Sequence, residues 1–375
     1  MTSLRYCSRC VLPSTRPGLS FDDHGNCNCA TGKVKASIDW TARESAFRDL
    51  VAATSAKGAS YDCVIPVSGG KDSTWQTIMC LEYGLKPLCV TWRTPARSPL
   101  GQANLDTLIG LGVDHIDFSI NPVVERRFML KTLERLGSPA IPMHLALFAI
   151  PLAVARRFGI PLVVWGENSA FEYGGDDALH GPRMTRNWLL KHGVTNGTTA
   201  EDWVDDDLTA RDLEPYRWPT DVELEEGAVQ AVFLGHFFEW DPVRSFEVAK
   251  GRGFRALEGK PKTGYYRFAD VDDEFIITIH HWLKWYKFGF TRLWDNLSLE
   301  IRNGRLSREE AISIIADRGE ERPDPEIDRF CSYTGITRDR FFQMIEKFRN
   351  PRIWNKDQAG RWTIGDFLIT DWNWS

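Results

Sequence analysis

The chain has 375 residues, 43% of them hydrophobic and 26% charged, with 46 basic against 51 acidic side chains for a formal net charge of −5. That length allows two domains with ample buried core, and the composition is ordinary for a soluble globular protein. An acidic balance argues against a partner of long nucleic acid, which selects for basic excess.

The first 45 or so residues hold four of the eight cysteines, Cys7, Cys10, Cys27 and Cys29, among turn formers such as Pro13, Pro17, Gly18, Gly25 and Gly32. The opening MTSLRYCSRC has no apolar core of a secretory signal. The most apolar stretch, Met143–Ala155, is 13 residues long and carries His144 and Pro151, which makes it short for a membrane span. The expectation is a cytoplasmic, reduced protein, in which paired cysteines are metal ligands rather than disulfides.

From Tyr61 the pattern alternates. Strands are expected at Asp62–Val67, Pro87–Trp92, His115–Ser119, Pro161–Gly166 and Ala231–Phe237, and helices at Thr74–Tyr83, Gln102–Leu111, Val123–Leu136, His144–Phe158 and Pro242–Lys250. Near-continuous apolar strands separated by helices imply a parallel sheet covered on both faces, so the fold class is doubly wound α/β. Residues 172–228 interrupt the rhythm with a polar insertion suited to a lid or binding loop. Past residue 255 the chain turns helical and aromatic: Ser307 and Glu310 form a capping box before a helix over Arg308–Ala316, and Thr337 caps another that runs to Phe348. Three units follow: a Cys-rich module over 1–45, an α/β domain over 46–255 and a helical region over 256–375. The 15 Trp, several of them in this last third, suit either sugar and base stacking or core packing.

The chemistry concentrates at VIPVSGGKDSTW, residues 64–75. An apolar strand ends there and the chain turns sharply into a helix. Gly69 and Gly70 permit positive φ and close backbone approach. The helix start presents N–H groups to an anion, Ser68 and Ser73 add hydroxyls, Lys71 a cation, and Asp72 a carboxylate suited to Mg²⁺ against phosphate oxygens. The spacing is not that of the G-x-x-x-x-G-K-[ST] loop. SGGKDS instead resembles the PP-loop of the ATP pyrophosphatases (the adenine nucleotide alpha hydrolase-like fold). The resemblance implies cleavage of ATP between its α- and β-phosphates, with Thr91 and Trp92 near the adenine.

YCSRCVLPSTRPGLSFDDHGNC, SGGKDSTWQ, LKPLCVTW, WGENSAFEYGG and KFGFTRLWDNLSLEIRNGRLSREE together resemble the N-acetyl sugar amidotransferases, over about four-fifths of the chain. Members of that family make acetamidino sugars for bacterial surface polysaccharides such as the lipopolysaccharide O-antigen. The resemblance implies transfer of AMP to an N-acetyl carbonyl oxygen, then attack by ammonia to give an amidine, AMP and pyrophosphate. It also implies a separate glutaminase subunit, since the chain shows no N-terminal Cys nucleophile and no Cys-His-Glu set.

Gly166-Glu167-Asn168 follows the fourth expected strand and emerges on the same sheet edge as the phosphate loop, so Glu167 and Asn168 can hold metal, substrate or ammonia, with Glu172 as a further candidate. Lys287, Arg292 and Arg302, cations amid aromatics, either bind a uronate or diphosphate or form helix-surface ion pairs. His280 and His281 lack partner ligands nearby in sequence and read as structural. Cys7-x-x-Cys10 with Cys27-x-Cys29 reads as a structural Zn²⁺ site. The second pair is tighter than the family's C-x-x-C and leaves His24 as a rival fourth ligand. Two other readings remain open at this point: a PP-loop enzyme that thiolates or aminates tRNA, and a non-catalytic ATP-binding subunit.

Overall fold

The computed structural model describes residues 4–30, 33–173 and 181–374. Met1 and Thr2, and Gly174 and Gly175 of the WGENSAFEYGG block, lie outside them. The centre is a five-stranded parallel sheet of β1 (Cys63–Pro66), β2 (Pro87–Trp92), β3 (Asp114–Phe118), β4 (Leu162–Trp165) and β5 (Gln230–Phe233) in the order 3-2-1-4-5. β1 pairs in parallel with both β2 and β4, Val64 standing opposite Leu88 on one side and Val163 on the other. The chain therefore winds outward in both directions from β1 and β4, and the gap between their carboxyl ends is the topological switch point where such sheets bind ligands.

Side-chain alternation explains why both faces are covered. Cys63, Ile65, Leu162, Val164 and Val232 point into one core with Phe47, Trp75 and Leu105. Val64, Leu88, Val90, Val163 and Ala231 point into the other, which continues through the helix Ile141–Phe158. That helix crosses β1, β2 and β4, while Lys71–Glu82 packs on Pro242–Lys250. Ile141–Phe158 is 18 residues long, five more than the apolar stretch read from sequence, and by length and composition it could cross a membrane. In this fold 61% of it is buried.

β1 and β4 are each one residue shorter at both ends than expected, and β3 and β5 differ from expectation for physical reasons. β3 is an edge strand with exposed Asp114 and Asp117, polar where an apolar run was expected from His115 on. β5 ends at Phe233, four residues early, and Leu234–Phe237 forms one helical turn. Gly235 makes that turn possible. Its N–H donates to Gly166 O at 3.0 Å, and a Cβ there would stand 3.2 Å from Glu167 Cα.

The remaining chain closes over the sheet. A helix absent from the sequence reading, Trp40–Ser55, is capped by Asp39, whose side chain accepts from Ala42 N. The described part of the polar insertion, from residue 181 on, includes short capped helices, among them Arg186–His192 and Asp221–Glu226. Five helices between Ile276 and Glu346 and a small hairpin, Trp354–Lys356 with Trp362–Ile364, complete the described residues. The Ser307–Glu310 capping box and the Thr337 cap form as expected. The late tryptophans pack on one another: Trp285 meets Trp294, Trp354, Trp372 and Trp374 with ring centroids 5.3–6.3 Å apart. They are core, as the packing alternative held.

Candidate active site

The phosphate loop lies at the carboxyl end of β1. Gly69 adopts φ +84°, and a Cβ there would come 2.7 Å from Leu105 N and 2.9 Å from Gly101 O. Only glycine fits. Gly70, expected to share that freedom, has an ordinary φ of −74° and serves as the N-cap of Lys71–Glu82. No side chain caps that helix, which leaves its first-turn N–H groups directed at the loop. Ser68 Oγ accepts from Gly70 N at 3.2 Å, and Ser73 Oγ donates to Gly70 O at 3.0 Å, so both hydroxyls brace the turn.

Lys71 is 6% exposed. Its ammonium pairs with Asp72 and lies over the faces of Trp240 and Phe268, 5.7 and 5.5 Å from their centroids. Asp72 Oδ1 accepts from Trp240 Nε1 at 3.0 Å. Across the switch point stands Glu167, on the loop after β4. Burial first, and then the Asp72 charge, push its pKa up to about 7, against the opposing pull of Lys71. Gly166 lies beside Gln76 of the phosphate-loop helix. The structure thus brings Ser68, Gly69, Gly70, Lys71, Asp72, Ser73, Gly166 and Glu167 to one sheet edge.

Other candidates take different positions. Asn168 is buried and accepts from Ala170 N and from Trp188 Nε1, at 3.1 and 2.9 Å, and so orients the helix Ser169–Tyr173. Glu172 is buried; one oxygen pairs with Lys35 at 2.8 Å, and the other has no hydrogen-bonding partner among the described residues. Lys287 donates to Gly137 O at 3.1 Å, and burial with the Lys284 charge lowers its pKa to about 8. Arg302 donates to Glu172 O at 2.7 Å. Of these three cations, Arg292 reaches the cleft wall through Asp270.

A cavity of about 180 Å³ opens beside the loop, lined by Val67 and Ser68, by Thr91 and Trp92 at the end of β2 with Arg97 beyond it, and by Asp270, Asp272 and Asp273. Thr91 Oγ1 is 2.8 Å from His115 Nε2, and Trp92 Nε1 donates to buried Glu125. The three aspartates were missed in the sequence. Their signal is the acidic D-x-D-D of residues 270–273, set immediately before the apolar helix Ile276–Phe288. Asp273 Oδ1 accepts from Phe275 N and Ile277 N, both at 3.0 Å, and so starts that helix. Burial and the neighbouring aspartates raise its pKa to about 7.

In the amino-terminal segment the Sγ atoms of Cys7, Cys10 and Cys27 lie within 4.8 Å of one another, all buried. Cys7 Sγ accepts N–H bonds from Arg9, Cys10 and Cys27 at 3.2–3.4 Å. Hydrogen bonds from the Cys10 and Cys27 thiols hold Cys7 far below the usual thiol range. Three buried sulfurs with converging N–H donors make a donor set that fits Zn²⁺. Cys29 stands outside the trio and donates to Tyr173 O at 2.8 Å. His24 is exposed on its turn and is not in the group.

Residues 262–368 match the family model described as LPS biosynthesis protein WbpG-like, C-terminal domain. Among solved structures, NMN synthetase from Francisella tularensis is similar at 15% identity and a TM-score of 0.30, over 60% of this chain and 99% of that one. So low a score carries no argument about this chain. A search of curated proteins gives no match. The family match supports the resemblance to N-acetyl sugar amidotransferases, because the block from Lys287 to Glu310 lies inside it. Asp270, Asp272 and Asp273, which line the cavity beside the phosphate loop, and Arg292, which pairs with Asp270, all lie within the residues that match this C-terminal domain model.

Proposed function

We propose that the chain is an ATP-dependent amidotransferase that converts an N-acetyl group on a sugar to an acetamidino group in surface-polysaccharide synthesis. The observation that carries this reading is the phosphate loop itself. An uncapped helix start with Lys71 and Asp72 shares the switch point of the sheet with Glu167, under a wall from the WbpG-like domain. An amide carbon resists ammonia because its oxygen is a poor leaving group. Attack of that oxygen on the α-phosphorus of ATP forms the O–P bond and releases pyrophosphate. Ammonia then adds to the activated carbon, and the oxygen departs on AMP. The helix-start N–H groups and Lys71 take up the negative charge developing on the leaving pyrophosphate, where one preorganised donor contributes about 3–4 kcal/mol. Glu167, poised near neutrality, takes the proton released as the carbon–nitrogen bond forms.

Mg²⁺ fits this site through Asp72, with Glu167 next to it. Such an ion takes one or two carboxylates and completes its shell with phosphate oxygens and water. When bound, it neutralises phosphate charge. Zn²⁺ in the Cys7–Cys10–Cys27 cluster has a structural role. Ammonia comes from a separate glutaminase subunit. All eight cysteines are buried, Cys63 among them within β1, so none presents an accessible thiol for glutamine. The compartment proposed is the cytoplasm, where ATP and sugar nucleotides are at hand.

Mass spectrometry after incubation with ATP, Mg²⁺, ammonium and N-acetylated sugar nucleotides tests the reaction. AMP should appear together with a product one mass unit lighter, as exchange of O for NH requires, and Lys71→Ala should abolish both. AMP-independent turnover, or full activity in Lys71→Ala, sinks the proposal. Glutamine used as well as ammonium by the purified chain alone removes the glutaminase partner.

A further inference from the structure

Trp240 stands 168 residues from Asp72 in the chain, yet its Nε1 donates to Asp72 Oδ1 at 3.0 Å. The other carboxylate oxygen, Oδ2, pairs with the Lys71 ammonium. The Asp72 side chain is 33% exposed against 7% for Lys71, so an ion arriving from solvent can reach the carboxylate. One indole serves both halves of this pair. Its N–H edge, where the ring's charge is positive, meets Asp72. Its face, where the π electrons lie, is 5.7 Å from Lys71 Nζ, measured to the ring centroid.

The kind of donor matters. An indole N–H only donates and carries no charge. It fixes one carboxylate oxygen and leaves the negative charge in place for a cation, which a lysine in the same position would cancel. The ring is also held from several sides. Trp240 is 2% exposed, and its carbonyl accepts from Lys35 Nζ at 2.6 Å, the same ammonium that pairs with Glu172. The next residue, Asp241, caps the helix Pro242–Lys250 with one oxygen and accepts from Asn303 and Arg305 with the other, both at 2.8 Å. The amino-terminal segment and the helical region thus both clamp the short stretch from which the indole reaches Asp72. A carboxylate oriented from behind by a rigid donor is how an outer group tunes a metal ligand.

We propose that Trp240 is a positioning residue for the divalent cation: its N–H holds Asp72 Oδ1 so that Oδ2 is offered to the metal when Lys71 turns to phosphate. The ring face steadies the Lys71 ammonium during that exchange of partners. The proposal rests on reading Asp72 as the metal ligand of the phosphate loop.

Metal binding to the full chain tests it without turnover. Mn²⁺, which takes the same oxygen ligands as Mg²⁺, is titrated by electron paramagnetic resonance with saturating α,β-methylene-ATP, whose α,β bridge is not cleaved. Two variants remove the N–H. Trp240→Phe keeps an aromatic face, and 3-benzothienylalanine at position 240 puts sulfur in place of the N–H with the ring shape unchanged. Melting temperature monitors the fold of both. Each should bind Mn²⁺ about 10- to 100-fold more weakly than the parent. Each should bind the nucleotide in EDTA as the parent does, measured by calorimetry, because Lys71 and the helix start are intact. Asp72→Asn should also lose Mn²⁺ affinity, and adding Trp240→Phe to it should cost nothing further. Parental Mn²⁺ affinity in the benzothienyl protein overturns the proposal whatever Trp240→Phe shows, and so do equal losses of nucleotide affinity with and without metal, the mark of a packing role. Unchanged Mn²⁺ affinity in Asp72→Asn instead fails the reading of Asp72 as a metal ligand, and the proposal with it.

Discussion

Glu125 shows how one side chain records the joining of distant parts. It is 3% exposed, accepts from Trp92 Nε1 of β2 and from the Tyr333 hydroxyl, both at 3.2 Å, and burial lifts its pKa from 4.5 to about 7. A carboxyl with a raised folded pKa binds its proton more tightly in the native state. Folding therefore takes up a proton between about pH 4.5 and pH 7. The associated stability is fully present below that window, falls as pH rises through it, and is gone above about pH 7. Glu125→Gln keeps the shape and both contacts, its carbonyl facing Trp92 and its amide facing Tyr333, without a charge to bury. At pH 8 the variant should be more stable than the parent by up to about 3 kcal/mol. Near pH 4.5 the two should coincide. Denaturant titrations at the two pH values decide this, and an equal difference at both would remove the titration of Glu125 as its cause.

At the scale of elements, the phosphate loop depends on one glycine more than on the other. Gly69→Ala puts a Cβ against the backbone of the helix Pro99–Ile109 at a φ of +84°, and that backbone cannot rotate aside as a side chain can. Gly70→Ala meets only Ser68 Oγ, at 3.2 Å and an ordinary φ. A displacement near 1 Å at a reacting centre costs roughly 10²-fold in rate. AMP formation should therefore fall by about that factor in Gly69→Ala and by far less in Gly70→Ala, with both proteins folded by circular dichroism. Similar losses in the two would show that the loop lacks this asymmetry. The sequence could not separate the two glycines, because what distinguishes them is the approach of Leu105 and Gly101 from another helix. The same holds across the molecule. β2 and the helix Pro242–Lys250 were legible to the residue, since apolar runs and the Asp241 cap with Pro242 are local signals. The loss of the last four residues of β5 to a helical turn was not, because it depends on Gly235 meeting Glu167. Nor were Asp270, Asp272 and Asp273, about 200 residues beyond the loop they face. Among the predicted cations, sequence could not tell Arg292, which pairs with Asp270 of the cleft wall, from Lys287 and Arg302, which donate to backbone carbonyls.

Across the whole molecule, the amino-terminal segment acts as a clasp between the sheet and the helical region. Its cysteines, strand residues such as Val64 and Val90, and Trp285, Trp294 and Trp354 belong to one continuous core. Polar contacts follow the same route. Arg308 Nε donates to the carbonyls of Cys7 and Cys10, Arg16 pairs with buried Asp295 at 2.8 Å, and Lys35 pairs with Glu172. Cys29 holds Tyr173 O, at the end of the helix that follows Glu167 and Asn168. A metal ion on Cys7, Cys10 and Cys27 would fix the turn from which all of these contacts extend. Such an ion binds the folded chain in preference to the unfolded one, so its binding energy adds to folding stability. Purified protein should carry about one equivalent of zinc, the stoichiometry of a single closed thiolate site. Stripping it with a chelator should lower the melting temperature by roughly 5–10 °C, as loss of a few kcal/mol requires. The double substitution Cys7→Ser, Cys10→Ser should reproduce that loss and make the chain indifferent to chelator. AMP formation should fall in both cases, because the segment that bears Glu172 and Tyr173 loses its anchor. Metal-free protein that melts at the same temperature with and without chelator would reduce the three thiols to core packing.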